Sequence, residues 1–139
     1  MNASELFLLG RRIQKIAEAA IPSDGVGDHP TSTQTVLVVA ADIREHPGTT
    51  VTEIARRTGI VQSHISNCVA RLRSVETVLA APDPADRRRT LLHPNPDLPP
   101  RAKVVREAPL EPALAAATTD PEEAMALLER LSALLRTEE

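Results

Sequence analysis

Two neighbouring stretches decide the fold: Val51-Thr-Glu-Ile-Ala-Arg-Arg-Thr-Gly59-Ile-Val-Gln-Ser-His-Ile-Ser-Asn-Cys-Val-Ala-Arg-Leu72 and, after it, Asp83-Pro-Ala-Asp-Arg-Arg-Arg89. In the first stretch, Gly59 separates two helical segments and permits a sharp turn, and Ala55 is small enough to let the two helices touch. Apolar side chains that can close a core behind them are Ile54, Ile60, Ile65, Cys68 and Val69. We therefore predict a helix-turn-helix.

The second predicted helix, from about residue 62 to 74, has an outer face of polar side chains. Hydroxyl, amide and guanidinium groups can hydrogen-bond to the donors and acceptors that base edges present in a DNA groove. We take this face as a candidate DNA-binding surface, whose residues are Gln62, Ser63, His64, Ser66, Asn67, Arg71 and Arg73.

A β-hairpin is predicted next, with strands over 77–81 and 89–93 and a connection rich in Pro and Asp. The cluster Arg87, Arg88 and Arg89 could be an ordinary solvated turn. Three consecutive Arg on a hairpin tip beside a helix-turn-helix favour contact with phosphates or a minor groove, so we take them as DNA-binding. Asp86 precedes Arg88 by two residues and can orient its guanidinium. The hairpin is thus predicted to be a wing.

The distribution of charge supports a nucleic-acid partner, although the whole chain has a formal charge of −3. Residues 51–93 contain seven Arg and four acidic residues, which gives +3, so the remainder carries −6. A basic module within an acidic chain can present positive potential on one face.

Two further helices are predicted at the ends of the chain. The first has Ser4 as a candidate N-cap and Pro22 as its stop. The last begins at Asp120-Pro-Glu-Glu123, with a capping Asp, a Pro at the first helical position and acids in the first turn. Each has an apolar face that a chain of 139 residues can hardly bury alone. We predict that residues 1–21 and 119–137 are dimerisation helices.

The remaining segments are read as connections and one more helix. Residues 23–30 contain two Gly, two Asp and a Pro and are predicted to form a loop. Thr31 or Ser32 opens a helix that ends at His46-Pro47-Gly48. Six of the twelve prolines lie in 94–118, predicted as an irregular arm with a short helical piece near 101–108. We expect one domain, 1–139, with the DNA-binding winged helix-turn-helix over 32–93.

Composition and motifs exclude several other classes of protein. A 1% aromatic content argues against base stacking on single-stranded nucleic acid. His64 and Cys68 lie one helical turn apart and could ligate a metal, but Cys68 falls on the apolar face, which favours a packed thiol. We find no Ser-His-acid set and no Gly-rich phosphate loop, so we expect no catalytic residues, cofactor or metal, and no enzyme. No membrane span or secretory signal is present, so a cytoplasmic protein is expected.

The chain resembles the MarR (multiple-antibiotic-resistance regulator) family of winged helix-turn-helix transcription factors. The matching stretches are 50–59, 63–72, Asp83-Pro-Ala-Asp-Arg-Arg88 and 120–131, and the wing motif is the specific part. The resemblance implies a symmetric dimer with each recognition helix in a major groove and each wing tip near a minor groove. It also implies that Ser63, Ser66, Asn67 and Arg71 contact DNA and that Asp86 and Arg88 are the wing-tip acid and arginine.

We therefore predict a mainly α (α+β) fold, a winged helix-turn-helix with a two-stranded β-wing and dimerisation helices at both ends. The predicted function is transcriptional regulation, as a repressor, by a homodimer bound to a two-fold symmetric operator in double-stranded DNA. The alternative is a winged helix that binds a partner protein without DNA binding; steep salt dependence of DNA binding separates the two. No feature of the sequence indicates a small-molecule effector, and an effector stays an open alternative.

Overall fold

The computed structural model describes residues 1–22 and 32–136, so the predicted loop at 23–30 and the candidate cap Thr31 lie outside the described residues. The described chain contains seven α-helices and two β-strands. It divides into two compact units, Met1–Ile21 with Ala108–Glu139, and Pro22–Glu107. In chain order the elements are α1 (Ala3–Ala20), α2 (Thr33–Glu45), α3 (Val51–Thr58), α4 (Gln62–Ser74), β1 (Val78–Pro82), β2 (Thr90–Pro94), α5 (Pro100–Arg106), α6 (Glu111–Ala117) and α7 (Pro121–Leu134).

The helix-turn-helix has the predicted boundaries because local signals determine them. Thr50 caps α3 through a capping box with Glu53. Gly59 ends α3 with a φ of 73°, a left-handed conformation that favours glycine. Ser32 caps α2, and His46 ends it.

The core of the Pro22–Glu107 unit lies between α2, α3, α4 and the two strands. The apolar residues predicted in α3 and α4 are buried, and Ile60 packs against them half-buried. Burial of this apolar surface supplies the main favourable contribution to folding. The buried cluster consists of Val36, Val39, Ile43, Ile54, Ile65, Cys68, Val69, Leu72, Val78 and Leu92.

The predicted wing is present as an antiparallel pair, with Val78 opposite Pro94 and Pro82 opposite Thr90. Both strands begin one residue later than predicted. For β2 the reason is that Arg89 belongs to the turn, where its amide donates to the Asp86 carbonyl at 2.9 Å. Leu92 also exchanges backbone hydrogen bonds with the segment before α3, and its amide donates to the Thr49 carbonyl at 2.8 Å. The wing is thereby joined to the start of α3. The mainly helical winged helix-turn-helix is confirmed.

The other unit contains α1, α6 and α7, and it corrects two predictions. Asn2, rather than Ser4, caps α1, because Asn2 forms a full capping box with Glu5. The arm predicted to be irregular contains α5, close to the predicted helical piece, and also α6, which was missed. Pro112 lies in the first turn of α6, where its missing amide hydrogen breaks no helical hydrogen bond. Asp120 caps α7 and Pro121 is its first residue, as predicted.

The terminal helices leave much of their apolar surface exposed within a single chain. Neither α1 nor α7, both described in full, has a buried residue. Phe7 is 68% exposed and Leu134 is 78% exposed. The other large apolar residues exposed on these helices and just beyond them are Met1, Leu6, Leu8, Leu127, Leu131 and Leu135. No described helix has the length and hydrophobicity needed to cross a membrane.

Candidate nucleic-acid interface

Helix α4 separates its apolar and polar residues as the sequence predicted, with one exception. Ile65, Cys68, Val69 and Leu72 are buried against the core. The opposite side is open to solvent, and its exposed polar residues are Gln62, Ser63, His64, Ser66, Asn67 and Arg73. We call this surface the α4 polar face. The major groove of DNA is wide enough to admit an α-helix such as α4.

Arg71 is the exception, because the structure buries a residue that we predicted to lie on the outer face. It is 6% exposed. Arg71 follows buried Cys68 by three residues and precedes buried Leu72 by one, which places it at the edge of the apolar face, given ~100° of rotation per residue. The surrounding structure covers this edge position. The expected outward placement of Arg71 is therefore wrong.

The wing tip holds Arg88 in the orientation that we predicted from Asp86. The Asp86 carboxylate accepts hydrogen bonds from the Arg88 backbone amide and from its Nε, both at 3.1 Å. These bonds from Arg88 hold the pKa of Asp86 below its ordinary value. The Arg88 side chain is 92% exposed and is therefore presented to solvent by a short local clamp.

Arg89 does not point freely to the other side of the hairpin, as an extended stretch would require. Residues 86–89 form a turn instead, and the Arg89 carbonyl accepts from the Asp83 amide at 2.9 Å. The guanidinium of Arg89 pairs with Glu53 on α3 at 3.1 Å and lies 3.8 Å from Asp83. Arg89 thus connects the wing to the helix-turn-helix. Arg87 is exposed and has no carboxylate partner among residues 1–22 and 32–136.

A chain of polar contacts continues from Glu53 toward α2. Oε2 of Glu53 accepts from the Thr49 hydroxyl at 3.0 Å and from the Thr50 amide at 3.2 Å. Arg57 donates to the same Thr49 hydroxyl and to Asp42, with Nη2 2.7 Å from Oδ2. Asp42 is only 8% exposed, so its charge requires such a partner. The hydrogen bond from Thr49 is the main factor that lowers the pKa of Glu53.

These residues could not be singled out from the sequence, because each of them has a local explanation. In the sequence, Thr50 and Glu53 are accounted for by a helix cap, and Arg57 is accounted for as a cation near the end of a helix. One signal in the sequence could have indicated a buried ion pair. Asp42 follows Val39 by three residues, which places this acid on the inward side of α2.

A groove lies between the start of α3 and the wing, and it adds a cation that we did not predict. Arg56 lines it together with Arg88 and Arg89. Arg56 is exposed and forms no ion pair with any residue that the structure describes. The groove residues are Thr50, Val51, Thr52, Glu53, Arg56, Arg88, Arg89 and Thr90.

The geometry offers no arrangement for metal binding within the described ranges, where no group of three or more His, Cys, Asp and Glu side chains comes together. His64 is exposed and Cys68 is fully buried, so the two side chains differ in their access to solvent. This placement agrees with a packed thiol. The exposed polar helix and the arginine-tipped wing together define a winged helix-turn-helix protein.

The family to which this fold points is the MarR family, whose model matches residues 31–90. Among solved structures, a probable transcriptional regulator from Pseudomonas aeruginosa is similar at 26% identity, over 90% of this chain and 94% of that chain, with a TM-score of 0.54. Wild-type MarR from E. coli in its apo form aligns over 98% of each chain at 16% identity and a TM-score of 0.62.

A third similar structure is Bordetella bronchiseptica BpsR, at 23% identity over 94% of this chain and 98% of that chain, with a TM-score of 0.54. No match was found among curated proteins. The resemblance to the MarR family is thereby confirmed by the family model over residues 31–90, and the fold is that of the similar structures.

Proposed function

We propose that this protein is a transcriptional regulator that binds a two-fold symmetric operator in double-stranded DNA as a homodimer. The single observation that carries the proposal is the exposed α4 polar face beside a wing whose Arg88 is held outward by Asp86. Nothing in the packing of the core needs either feature. Both supply what DNA recognition needs, namely hydrogen-bonding groups for base edges and a cation for a minor groove.

Each candidate residue then has a distinct role. Ser63, Ser66 and Asn67 face the bases in the major groove, and Arg88 enters the minor groove. The other polar and cationic side chains contact phosphates. Phosphate contacts carry no sequence information, but they fix the register of the protein on the duplex. The supporting contacts come from Gln62, His64, Arg73 and Arg87, and Arg56 joins them from α3.

The dimer is proposed from the terminal helices. Phe7, Leu134 and Leu135 are each more than two-thirds exposed in a single chain. Apolar patches of this kind on a small protein mark an interface, and a symmetric pair is the commonest closed assembly. We assign residues 1–21 and 119–137 to dimerisation and residues 32–93 to DNA binding. Two copies then present two α4 helices to successive major grooves.

Repression is the simplest regulatory outcome, since a dimer seated on a promoter excludes the polymerase by its volume. BpsR, whose DNA binding is regulated by 6-hydroxynicotinic acid, is a similar structure in which DNA binding is a controlled activity. A reporter placed behind the selected operator tests the direction of control. Lower expression in the presence of this protein supports repression, and higher expression contradicts it.

The test of DNA binding is selection of bound sequences from random duplex DNA with the purified protein. We expect an inverted repeat with half-sites about one helical turn apart, and affinity that falls steeply with salt. A winged helix that serves only to bind a partner protein would enrich no sequence and would show weak or salt-insensitive binding. That result would overturn the proposal.

A further inference from the structure

The carboxylate of Glu53 divides its two oxygens between two separate tasks. Oε2 completes the cap of α3 through the Thr50 amide and the Thr49 hydroxyl. Oε1 is left for the wing and accepts a hydrogen bond from Arg89 at 3.1 Å. The cap holds the side chain in one position, so Oε1 is presented to Arg89 without further adjustment.

Arg89 is equally well held on its own side of the pair. Its amide and carbonyl both bond within the wing turn, to Asp86 and Asp83 respectively, each at 2.9 Å. These two backbone hydrogen bonds fix Arg89 at the base of the turn that carries Arg88, so a bond to its guanidinium also restrains that turn. The ion pair is half exposed, with side-chain exposures of 49% for Arg89 and 34% for Glu53, and such pairs contribute little to the free energy of unfolding.

We propose that Glu53 is a positioning residue for DNA binding, which holds the wing tip at a set distance from α3 through Arg89. The inference rests on the proposed function. The wing is a two-stranded ribbon, and a ribbon of this size has little stability of its own. The link from Arg89 through Glu53 and Thr49 to Arg57 and Asp42 joins the wing tip to α2 and α3. Arg88 therefore meets the minor groove at a distance set by this link.

Glu53→Gln separates positioning from simple electrostatics by the sign of its effect. Glutamine at this position keeps the capping box, because its carbonyl oxygen accepts the same backbone hydrogen bond. It lacks the charge that pairs with Arg89. Electrostatics alone predicts tighter DNA binding, since a negative charge near the phosphates has been removed. Positioning predicts weaker binding.

The experiment measures operator affinity of full-length wild type, Glu53→Gln and Glu45→Gln. Glu45 is the matched control, because it is exposed at the end of α2 and, among the residues that the structure describes, has no ion-pair partner. We expect Glu53→Gln to weaken binding roughly threefold to tenfold, in line with couplings between contacting residues. Glu45→Gln is expected to leave affinity unchanged or slightly higher. Thermal unfolding of Glu53→Gln should match wild type within a few degrees.

Two further measurements complete the test. Hydroxyl-radical footprints of Glu53→Gln should lose protection at the wing's minor groove and keep it under α4, a difference that a general loss of stability would not produce. In an Arg89→Gln background, Glu53→Gln should have no added effect, because its partner is gone. Equal or tighter binding by Glu53→Gln overturns the positioning role. If wild type binds no duplex DNA, the proposed function fails instead.

Discussion

Asn67 is the residue of α4 best suited to show whether this helix reads bases. It is exposed near the middle of the helix, and an amide can bond to two groups of adenine at once. Asn67→Ala should cost about 1–3 kcal/mol of binding free energy at one or two base pairs of the operator. Binding to a panel of single-base operator variants measures this. Uniform weakening across the panel would assign Asn67 to phosphates, and unchanged binding would mean that α4 has been misplaced.

Asp86 and Arg88 should act as one unit at the wing tip. Arg88→Ala is expected to weaken binding most on sites with a narrow, A·T-rich minor groove, where the potential is most negative. Asp86→Ala should produce part of the same loss, because Arg88 is no longer oriented, although a negative charge has been removed. In Arg88→Ala, the pKa of Asp86, followed by NMR, should rise toward its ordinary value of 3.8. Tighter binding by Asp86→Ala with unchanged site preference after Arg88→Ala would reduce the wing to a cationic surface.

Arg87 and Arg56 lie on different elements, the wing and α3, and both are exposed without an ion pair to a described residue. Each is expected to neutralise one phosphate. Arg87→Ala or Arg56→Ala should therefore lower the slope of log affinity against log salt by about one unit, without a change in preferred sequence. Titrations at several salt concentrations measure the slope. A changed sequence preference with an unchanged slope would instead indicate base contact.

The turn between α3 and α4 depends on Gly59. Its φ of 73° is strained for any residue with a Cβ, so Gly59→Ala should destabilise the fold by about 1 kcal/mol. Gly10 is the control, because it lies inside α1 and a Cβ there meets nothing within 4 Å. Gly10→Ala should stabilise by about 0.5–1 kcal/mol through helix propensity. Urea unfolding of both variants gives the comparison, and effects of the same sign would contradict this account.

At the scale of the whole molecule, the proposed dimer is expected to depend on the terminal helices. Deletion after Thr119 removes α7, and we expect monomers or insoluble protein with reduced operator affinity, because two half-sites are no longer engaged together. A gentler variant is Leu131→Glu, which places a charge on the apolar face of α7. Ala126→Glu, on the opposite side of the helix, is its matched control. Light scattering measures the molar mass of each protein in solution and so distinguishes monomers from dimers. A full-length protein that is monomeric at micromolar concentration would contradict the dimer.

The elements of this protein could be predicted from sequence wherever neighbouring residues determine them. Gly59 ends α3, and Asp120 with Pro121 starts α7. The orientation of Arg88 was also predictable, because Asp86 is two residues away in the same turn. In each case the chemistry that decides the structure acts over a few residues, so a single stretch of sequence contains the answer.

The tertiary structure alone decided which arginine side chains are exposed and which are paired or buried. Arg89 pairs with Glu53, 36 residues earlier, and Arg57 pairs with Asp42, 15 residues earlier. Arg71 is buried at the edge of a helix face that periodicity alone cannot resolve. An ion pair forms only where packing brings two side chains within a few ångströms. The packing of α2, α3 and the wing therefore pairs Arg57 and Arg89 with carboxylates of the fold, whereas Arg56, Arg73, Arg87 and Arg88 are exposed on the surface.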